Sequence, residues 1–182
     1  RKESSAASDV YKRQVGAYTA SKGVPLVRQH VAEFLAARDG FDEDLENIYL
    51  TAGASAGISL LFQVLFRAKR DGILIPIPQY PLYSASVSLL DLVPMHYHLN
   101  AEQHWDPSIS NIKTQIDEAR KNGIEPRAII MINPGNPTGN CMTREQIGNV
   151  IRLAYEESLA IFADEVYQEN IYQNRRPFVS FR

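Results

Sequence analysis

Apolar residues recur along the chain from Val15 onwards in two alternating patterns, helical periodicity and short, nearly continuous apolar runs. The periodic segments predict helices at 26–38, from about 54 to 67, at 83–90, at 109–120 and from 143 onwards. The apolar runs predict strands at 48–51, 72–75, 93–99, 128–132 and 159–163. Strands that alternate with helices and are apolar throughout indicate a parallel sheet covered on both faces. The predicted fold class is therefore α/β, a three-layer α/β/α arrangement with a mostly parallel sheet.

Local signals mark several ends of these elements. Thr143 and Gln146 have the spacing of a capping box, which predicts a helix that begins after Thr143. Gly40 is a typical helix stop, and the prolines from Pro76 onwards are expected to close the second strand. The first helix is predicted to carry four apolar residues on one face: Val27, Val31, Phe34 and Leu35.

The beginning of the chain differs from the rest. Residues 1–14 are polar, charged and without periodicity, and Asp9 to Gln14 look like a translated sequencing adaptor. We therefore expect 1–14 to be a non-native or disordered segment. Residues 15–182 contain neither a repeat nor an evident linker, which predicts one domain.

Composition narrows the function classes. The chain has 182 residues, 45% of them hydrophobic, and its 19 basic and 21 acidic side chains give a net charge of −2. This balance argues against nucleic-acid binding and against a polybasic membrane surface. The apolar runs are far shorter than the ~20 residues that cross a bilayer. A single cysteine, Cys141, suits a reducing compartment.

Ligands of parallel α/β sheets bind beyond the carboxyl ends of the strands, and four of these junctions carry unusual residues. Ala54 and Ser55 lie among small residues where a helix begins, so backbone N–H groups could meet an anion there, although a plain tight turn explains the pattern equally well. Tyr80 follows a strand between prolines and is placed to stack on a planar ligand or to pack at the domain edge.

Two further junctions carry polar side chains. The loop from Asn133 to Gly139 contains two Asn-Pro steps, and Asn136 could direct its amide towards a ligand oxygen. Asp164 ends an apolar strand, where a carboxylate is costly unless it meets a cation or several hydrogen-bond donors. The hydroxyl of Tyr167, three residues further on, can reach the same site. The alternative interpretation is that Asp164 is an ordinary surface aspartate.

These motifs together resemble a known family. The Asn-Pro-Gly-Asn-Pro-Thr-Gly loop from Asn133 and the Ala-Asp-Glu-Val-Tyr-Gln segment from Ala163 are similar to those of class I/II aminotransferases of fold type I, which use pyridoxal 5'-phosphate. Two more segments, one from Ile75 to Ala85 and one from Gly16 to Gly23, bring the resemblance closest to the alanine aminotransferases. The resemblance covers Val15 to about Tyr172 and implies that 15–182 is an incomplete pyridoxal-phosphate-binding large domain.

The resemblance assigns roles to individual residues. Asp164 would pair with the protonated pyridine nitrogen, and Tyr80 would stack on the ring. Ala54 and Ser55 would hold the phosphate. Asn136 and Tyr167 would bind the ring's 3-oxygen. Tyr18 would reach the phosphate of the neighbouring subunit, so the resemblance also implies a homodimer.

One feature departs from the family pattern. The family has a Schiff-base lysine a few dozen residues beyond the Asp-x-x-Tyr motif, whereas this sequence has no lysine after Lys121. We therefore expect the catalytic lysine to lie beyond Arg182, the chain to be a fragment that lacks the true N-terminus, and the fragment to be inactive. The full-length enzyme would transfer an amino group from L-alanine to 2-oxoglutarate in the cytoplasm or mitochondrial matrix.

Alternatives remain at this point. The amino donor could be another amino acid, for example an aromatic one, or the chain could be a non-catalytic homologue that acts as a binding module. A dinucleotide-binding domain is disfavoured because the first strand is not followed by Gly-x-Gly-x-x-Gly. His96 and His98 share one strand face without a third ligand, which is more typical of a solvated face than of a metal site.

Overall fold

The structure is a computed structural model that describes residues 20–67, 69–172 and 176–182. Two compact units, divided after Ala52, contain these residues. Segment 1–14 and Tyr18 lie outside the described residues. The assignment of 15–182 to one partial cofactor-binding domain stays a prediction.

The unit up to Ala52 contains helix α1, Pro25–Asp39, and a 3₁₀ helix, Leu45–Asn47. Proline suits the first turn of α1 because its missing N–H would have no partner there. Gly40 ends α1 with a left-handed φ of 84°, as the sequence predicted.

Arg28 ties α1 to the 3₁₀ helix. Its buried guanidinium donates from Nε to the carbonyl of Ile48 at 3.0 Å and from Nη2 to the carbonyl of Leu45. The charge is therefore satisfied by backbone carbonyls, with Glu46 at 3.3 Å as its acidic partner.

Two predictions for this unit are wrong. Residues 48–51 form no strand within the described part of the chain; Leu50 donates one backbone hydrogen bond to Lys22 at 2.9 Å, and a single bond of this kind does not make a ladder. The predicted apolar face of α1 is not its buried face, since Val27 and Phe34 are exposed while Arg28 and Ala32 are buried. The side of α1 that is buried is therefore the one on which Arg28 makes its hydrogen bonds, and not the one that the apolar periodicity predicts.

The unit from Gly53 onwards alternates helices and strands, as predicted. Its helices of eight or more residues are α2 (Ala54–Leu65), α3 (Leu82–Leu89), α4 (Ile109–Lys121) and α5 (Arg144–Glu157). Its strands are β1 (Asp71–Ile77), β2 (Val93–His98), β3 (Glu125–Ile132) and β4 (Ala160–Asp164). A short 3₁₀ helix, Ala101–Gln103, follows β2.

The four strands of this unit form a parallel sheet in the order β2-β1-β3-β4. Because all strands run the same way, the loops after β1, β3 and β4 leave at one edge. Strand β1 extends past the predicted stop at Pro76 to Ile77, which pairs with His98 of β2. The ladder between β1 and β3 ends at Leu74, so Pro76 lies beyond the last β3 partner.

Alternating strand residues build a core on each face of the sheet. On one face, Leu74, Tyr97 and Ile129 pack with α4 and α5. On the other face, Ile73, Ile130 and Phe62 of α2 pack with residues of α3. Helices on both faces confirm the predicted three-layer α/β/α class with a parallel sheet.

Helix α5 begins as its sequence predicted. The Thr143 hydroxyl accepts from the N–H of Gln146 at 3.2 Å, and the Gln146 side chain accepts from the N–H of Thr143 at 2.7 Å. Both halves of the capping box are present, so two N–H groups that a helix start leaves without partners are satisfied.

Candidate active site

The end of β4 joins the end of β3 at the carboxyl edge of the sheet. Their last paired residues are Ile132 and Asp164, and Asn133 continues the pairing by donating its N–H to the carbonyl of Asp164 at 2.9 Å. The Asn-Pro-Gly loop and the Asp-Glu-Val-Tyr segment therefore start side by side, which is where parallel sheets bind ligands.

Asp164 holds two hydrogen bonds from neutral donors. Tyr83 of α3 donates its hydroxyl to Oδ2 at 2.5 Å, and Val166 donates its N–H to Oδ1 at 3.2 Å. The side chain of Tyr83 is buried, and this burial, together with the bond to the carboxylate, raises the pKa of its hydroxyl far above the ordinary value of 10.0. Tyr83 therefore remains a neutral donor at physiological pH.

The first turn of α2 presents unoccupied backbone donors. The preceding Gly53 has a φ of 86°, which disfavours any side chain there. No side chain of the described residues caps the helix, and Ala54 and Ser55 are exposed at its start. Free N–H groups and the positive end of the helix dipole favour an anion at this point.

An open cleft of about 460 Å³ connects the start of α2 with the end of β4. Ala54, Tyr83 and Asp164 line it, together with apolar side chains of α2 and residues of β4. Its size lies within the range of small-molecule sites. The structure thus brings Ala54 and Asp164 together in one cleft, whereas four predicted site residues do not line it: Ser55, Tyr80, Asn136 and Tyr167.

Tyr80 and Tyr167 present aromatic side chains to solvent. Tyr80 is 46% exposed and Tyr167 is 38% exposed. Neither hydroxyl has a hydrogen-bond partner among the described residues. Both side chains are therefore available to a ligand, because no intramolecular hydrogen bond has to break.

The loop that carries Asn136 is held by its own hydrogen bonds. Gly139 donates its N–H to the carbonyl of Gly135 at 2.8 Å, and Gly135 donates to the carbonyl of Asn140 at 2.9 Å. A Cβ on Gly135 would lie 2.3 Å from the Thr138 hydroxyl oxygen and 2.4 Å from Asn140 Oδ1, so a side chain at position 135 would require these two groups to move. Asn136 is half-buried and lines a small void of about 20 Å³ on this loop.

Sequence reasoning missed two residues that organise the site. Asn133 is fully buried, donates from Nδ2 to the carbonyl of Val179 and accepts at Oδ1 from Met142, both at 2.9 Å. Its position straight after an apolar strand was a usable signal. Tyr83 was predicted only as part of a helix, and its partner Asp164 is 81 residues away, which no local pattern reveals.

No group of three or more His, Cys, Asp or Glu side chains in the part of the chain that the structure describes is placed to hold a metal ion. None of the described helices combines the length and the apolar character needed to span a membrane.

The sequence and the fold both match known aminotransferases. The family model "Aminotransferase class I and II" matches residues 4–181. Glutamate–glyoxylate aminotransferase 1 of Arabidopsis thaliana is 46% identical over 166 residues, which cover 91% of this chain and 34% of that protein. The mitochondrial alanine aminotransferase 1 of the same plant is 44% identical over 170 residues, which cover 93% of this chain and 31% of that protein.

The fold is also similar to that of a solved aminotransferase structure. Alanine aminotransferase from Pyrococcus furiosus superposes with a TM-score of 0.82 at 27% identity, over 96% of this chain and 42% of that one. The chain spans about a third of the length of the curated relatives, 34% and 31% for the two named above. With the parallel sheet and the cleft at its carboxyl edge, these matches show that the chain belongs to the class I and II aminotransferase family.

Proposed function

We propose that this chain is the cofactor-binding part of an aminotransferase that moves an amino group from L-alanine to 2-oxoglutarate with pyridoxal 5'-phosphate. Enzymes of this family generally depend on that cofactor. The observation that carries the proposal is the Asp164 carboxylate, which ends β4 and shares one cleft with the uncapped start of α2. A carboxylate and a helix N-terminus suit the two ends of this cofactor, its basic ring nitrogen and its phosphate.

The described residues fit the cofactor chemically. Asp164 would pair with the protonated ring nitrogen, and the first N–H groups of α2 at Ala54 and Ser55 would bind the phosphate. When bound, the cofactor supplies a cationic ring that withdraws electrons from the substrate. Asp164 would keep that ring protonated by holding a negative charge beside the nitrogen.

The remaining predicted contacts concern the ring itself. Tyr80, which is exposed, would stack on one face of it. Asn136 and Tyr167 would donate hydrogen bonds to its 3-oxygen, and the rigid Asn136 loop would keep the amide in place. Tyr18 would reach the phosphate of the second subunit, and this contact implies a homodimer as the functional form.

The proposed activity belongs to the full-length enzyme. Transamination in this family needs a lysine as the covalent anchor of the cofactor and as the proton carrier. The chain has no lysine beyond Lys121, so we expect the 182 residues alone not to transaminate. The cytoplasm or the mitochondrial matrix would be the compartment; one relative named above carries "mitochondrial" in its name.

A second donor–acceptor pair has a specific observation in its favour. The glutamate–glyoxylate aminotransferase of Arabidopsis thaliana is as similar to this chain, at 46% identity, as the alanine aminotransferases are. Glutamate and glyoxylate are therefore the alternative substrate pair for the same cofactor site.

The test is a donor-by-acceptor assay on the full-length enzyme, loaded with cofactor. Alanine and tyrosine are each combined with 2-oxoglutarate and with glyoxylate, glutamate is combined with glyoxylate, and the amino-acid products are quantified. The proposal predicts the highest kcat/KM for alanine with 2-oxoglutarate. A higher value for glutamate with glyoxylate would select the alternative, and no turnover with any pair would contradict the aminotransferase proposal. The 182-residue chain, assayed in parallel, is expected to give no product.

A further inference from the structure

The hydroxyl of Tyr83 lies at the edge of an apolar cluster and donates a hydrogen bond to Asp164. The side chain of Tyr83 is 1% exposed and lies in the core between β1 and α3, with Ile73, Ile75 and Val87. A buried hydroxyl needs a partner, because burial removes its hydrogen bonds to water and leaves the group destabilising unless another acceptor replaces them. Its partner is the carboxylate at the end of β4, across 81 residues of sequence.

The two donors of Asp164 come from different elements and meet different oxygens. Tyr83 of α3 binds Oδ2, and the N–H of Val166 binds Oδ1. Two donors on two oxygens fix both the position and the plane of a carboxylate, while each oxygen keeps a lone pair for a further partner.

Both donors of Asp164 are uncharged. No lysine or arginine of the described residues forms an ion pair with this carboxylate. A basic side chain in the place of Tyr83 would orient the carboxylate and also neutralise it. A phenol orients it and leaves the negative charge for a cationic ligand.

We propose that Tyr83 is a positioning residue of the cofactor site: its hydroxyl aims the Asp164 carboxylate at the protonated ring nitrogen without neutralising its charge. The inference rests on the proposed function, because it assumes that the ring nitrogen binds at Asp164. The raised pKa of the Tyr83 hydroxyl agrees with this role, since the group stays a neutral donor.

The chain provides a matched control in Tyr97. Its side chain is as deeply buried as that of Tyr83, but its hydroxyl donates to the carbonyl of Ile130 at 2.7 Å. Replacing either tyrosine with phenylalanine removes one buried hydroxyl and keeps the ring. Only Tyr83→Phe removes a donor from Asp164.

The experiment uses the full-length holoenzyme, loaded with pyridoxal phosphate that carries ¹⁵N in the ring. The ¹⁵N chemical shift reports the protonation of the ring nitrogen, and equilibrium dialysis gives the Kd of the cofactor. Tyr83→Phe is expected to weaken cofactor binding about tenfold and to move the ring nitrogen towards its unprotonated shift at neutral pH, since hydrogen bonds to a charged group are stronger than those between neutral groups. Tyr97→Phe is expected to leave both the shift and the Kd unchanged.

The outcomes separate this inference from the proposed function. If the unsubstituted enzyme has a protonated ring nitrogen and Tyr83→Phe matches Tyr97→Phe in shift and Kd, Tyr83 serves packing alone and the inference is overturned. If the ring nitrogen of the unsubstituted enzyme is unprotonated, the assignment of Asp164 within the proposed function fails instead. Thermal unfolding of both variants shows that the comparison is made between folded proteins.

Discussion

Each face of the sheet is covered by a core that contains a deeply buried tyrosine, and the two tyrosine hydroxyls donate to different kinds of acceptor. On the face covered by α4 and α5, Tyr97 donates to the carbonyl of Ile130, a backbone group. On the face covered by α2 and α3, Tyr83 donates to the carboxylate of Asp164. The first bond joins two strands of the core, whereas the second orients a charged group at the rim of a cleft.

The helices on the two faces also differ, both in how they begin and in how much of their apolar surface is buried. Helix α5 begins with a complete capping box and buries its apolar side against the sheet. Helix α2 begins without a side-chain cap and keeps several apolar side chains exposed: Leu60, Leu61, Val64 and Leu65. The α4–α5 face thus combines a fully capped helix start with a continuous buried apolar cluster. The α2–α3 face has an uncapped helix start and exposed apolar side chains, and the proposed cofactor site lies on this face.

The largest expected effect falls on the open face. Asp164→Asn removes the charge that would hold the protonated ring and keeps the size of the side chain. In the full-length enzyme we expect kcat/KM for alanine to fall roughly 10²–10³-fold, the usual loss when a preorganised electrostatic group is removed. Steady-state kinetics measure it, and the exposed Asp117→Asn on α4 is the control. A loss below tenfold would contradict the role of Asp164.

The second effect contrasts the cores directly. Ile116 of α4 is completely buried, so Ile116→Ala should lower the free energy of unfolding of this chain by about 2–5 kcal/mol. Val64 of α2 is 73% exposed, so Val64→Ala should change it by less than about 0.5 kcal/mol. Urea unfolding of both variants gives the comparison. Equal losses of unfolding free energy would show that Val64 is buried as well and would contradict the exposure of the α2 surface.

The third effect depends on pH. Burial raises the pKa of Tyr97 above its ordinary value of 10.0, so the folded state holds its proton where the unfolded state releases it. The stabilisation is complete below pH 10 and is lost above it, by about 1.4 kcal/mol per pH unit for one tyrosine. Urea unfolding between pH 9 and 11 should show a shallower decline for Tyr97→Phe. Tyr155→Phe, at an 87% exposed position, should keep the original slope.

The smallest effect concerns helix capping. Thr143→Ala removes the hydroxyl that caps α5 and should cost about 1 kcal/mol of unfolding free energy. Thr114 is a suitable control because its hydroxyl donates to the carbonyl of Ser110 within α4 at 3.0 Å and caps nothing. Thr114→Ala is expected to lower the free energy of unfolding by less than half as much. A larger loss in Thr114→Ala would contradict the prediction that the Thr143 hydroxyl stabilises α5 by capping it.

The sequence predicted those parts of the fold that depend on local pattern. The capping box at Thr143 and the stop at Gly40 are confirmed because each is specified by residues within one turn. The strand predicted at 128–132 is observed as Glu125–Ile132. Its exposed first residues Glu125 and Arg127 carry no apolar signal, so pattern alone placed its start too late.

What depends on distant partners could not be predicted. The segment 48–51 has the composition of a strand, but strand formation requires a neighbour that a local pattern does not specify. A carboxylate at the end of an apolar strand needs partners, which makes Asp164 a candidate, yet nothing in the sequence identifies Tyr83 as one of those partners. Bonds between residues 81 positions apart follow from the tertiary fold alone.

The most direct test of the account is the half-reaction with alanine alone. The full-length enzyme, loaded with pyridoxal phosphate and free of any 2-oxo acid, is mixed with L-alanine, and the pyruvate released is counted against bound cofactor. One pyruvate per cofactor is expected from the unsubstituted enzyme, and a much slower release from Asp164→Asn. Absence of pyruvate from the unsubstituted enzyme, or an unchanged rate in Asp164→Asn, would contradict the proposal that Asp164 serves an alanine-using aminotransferase.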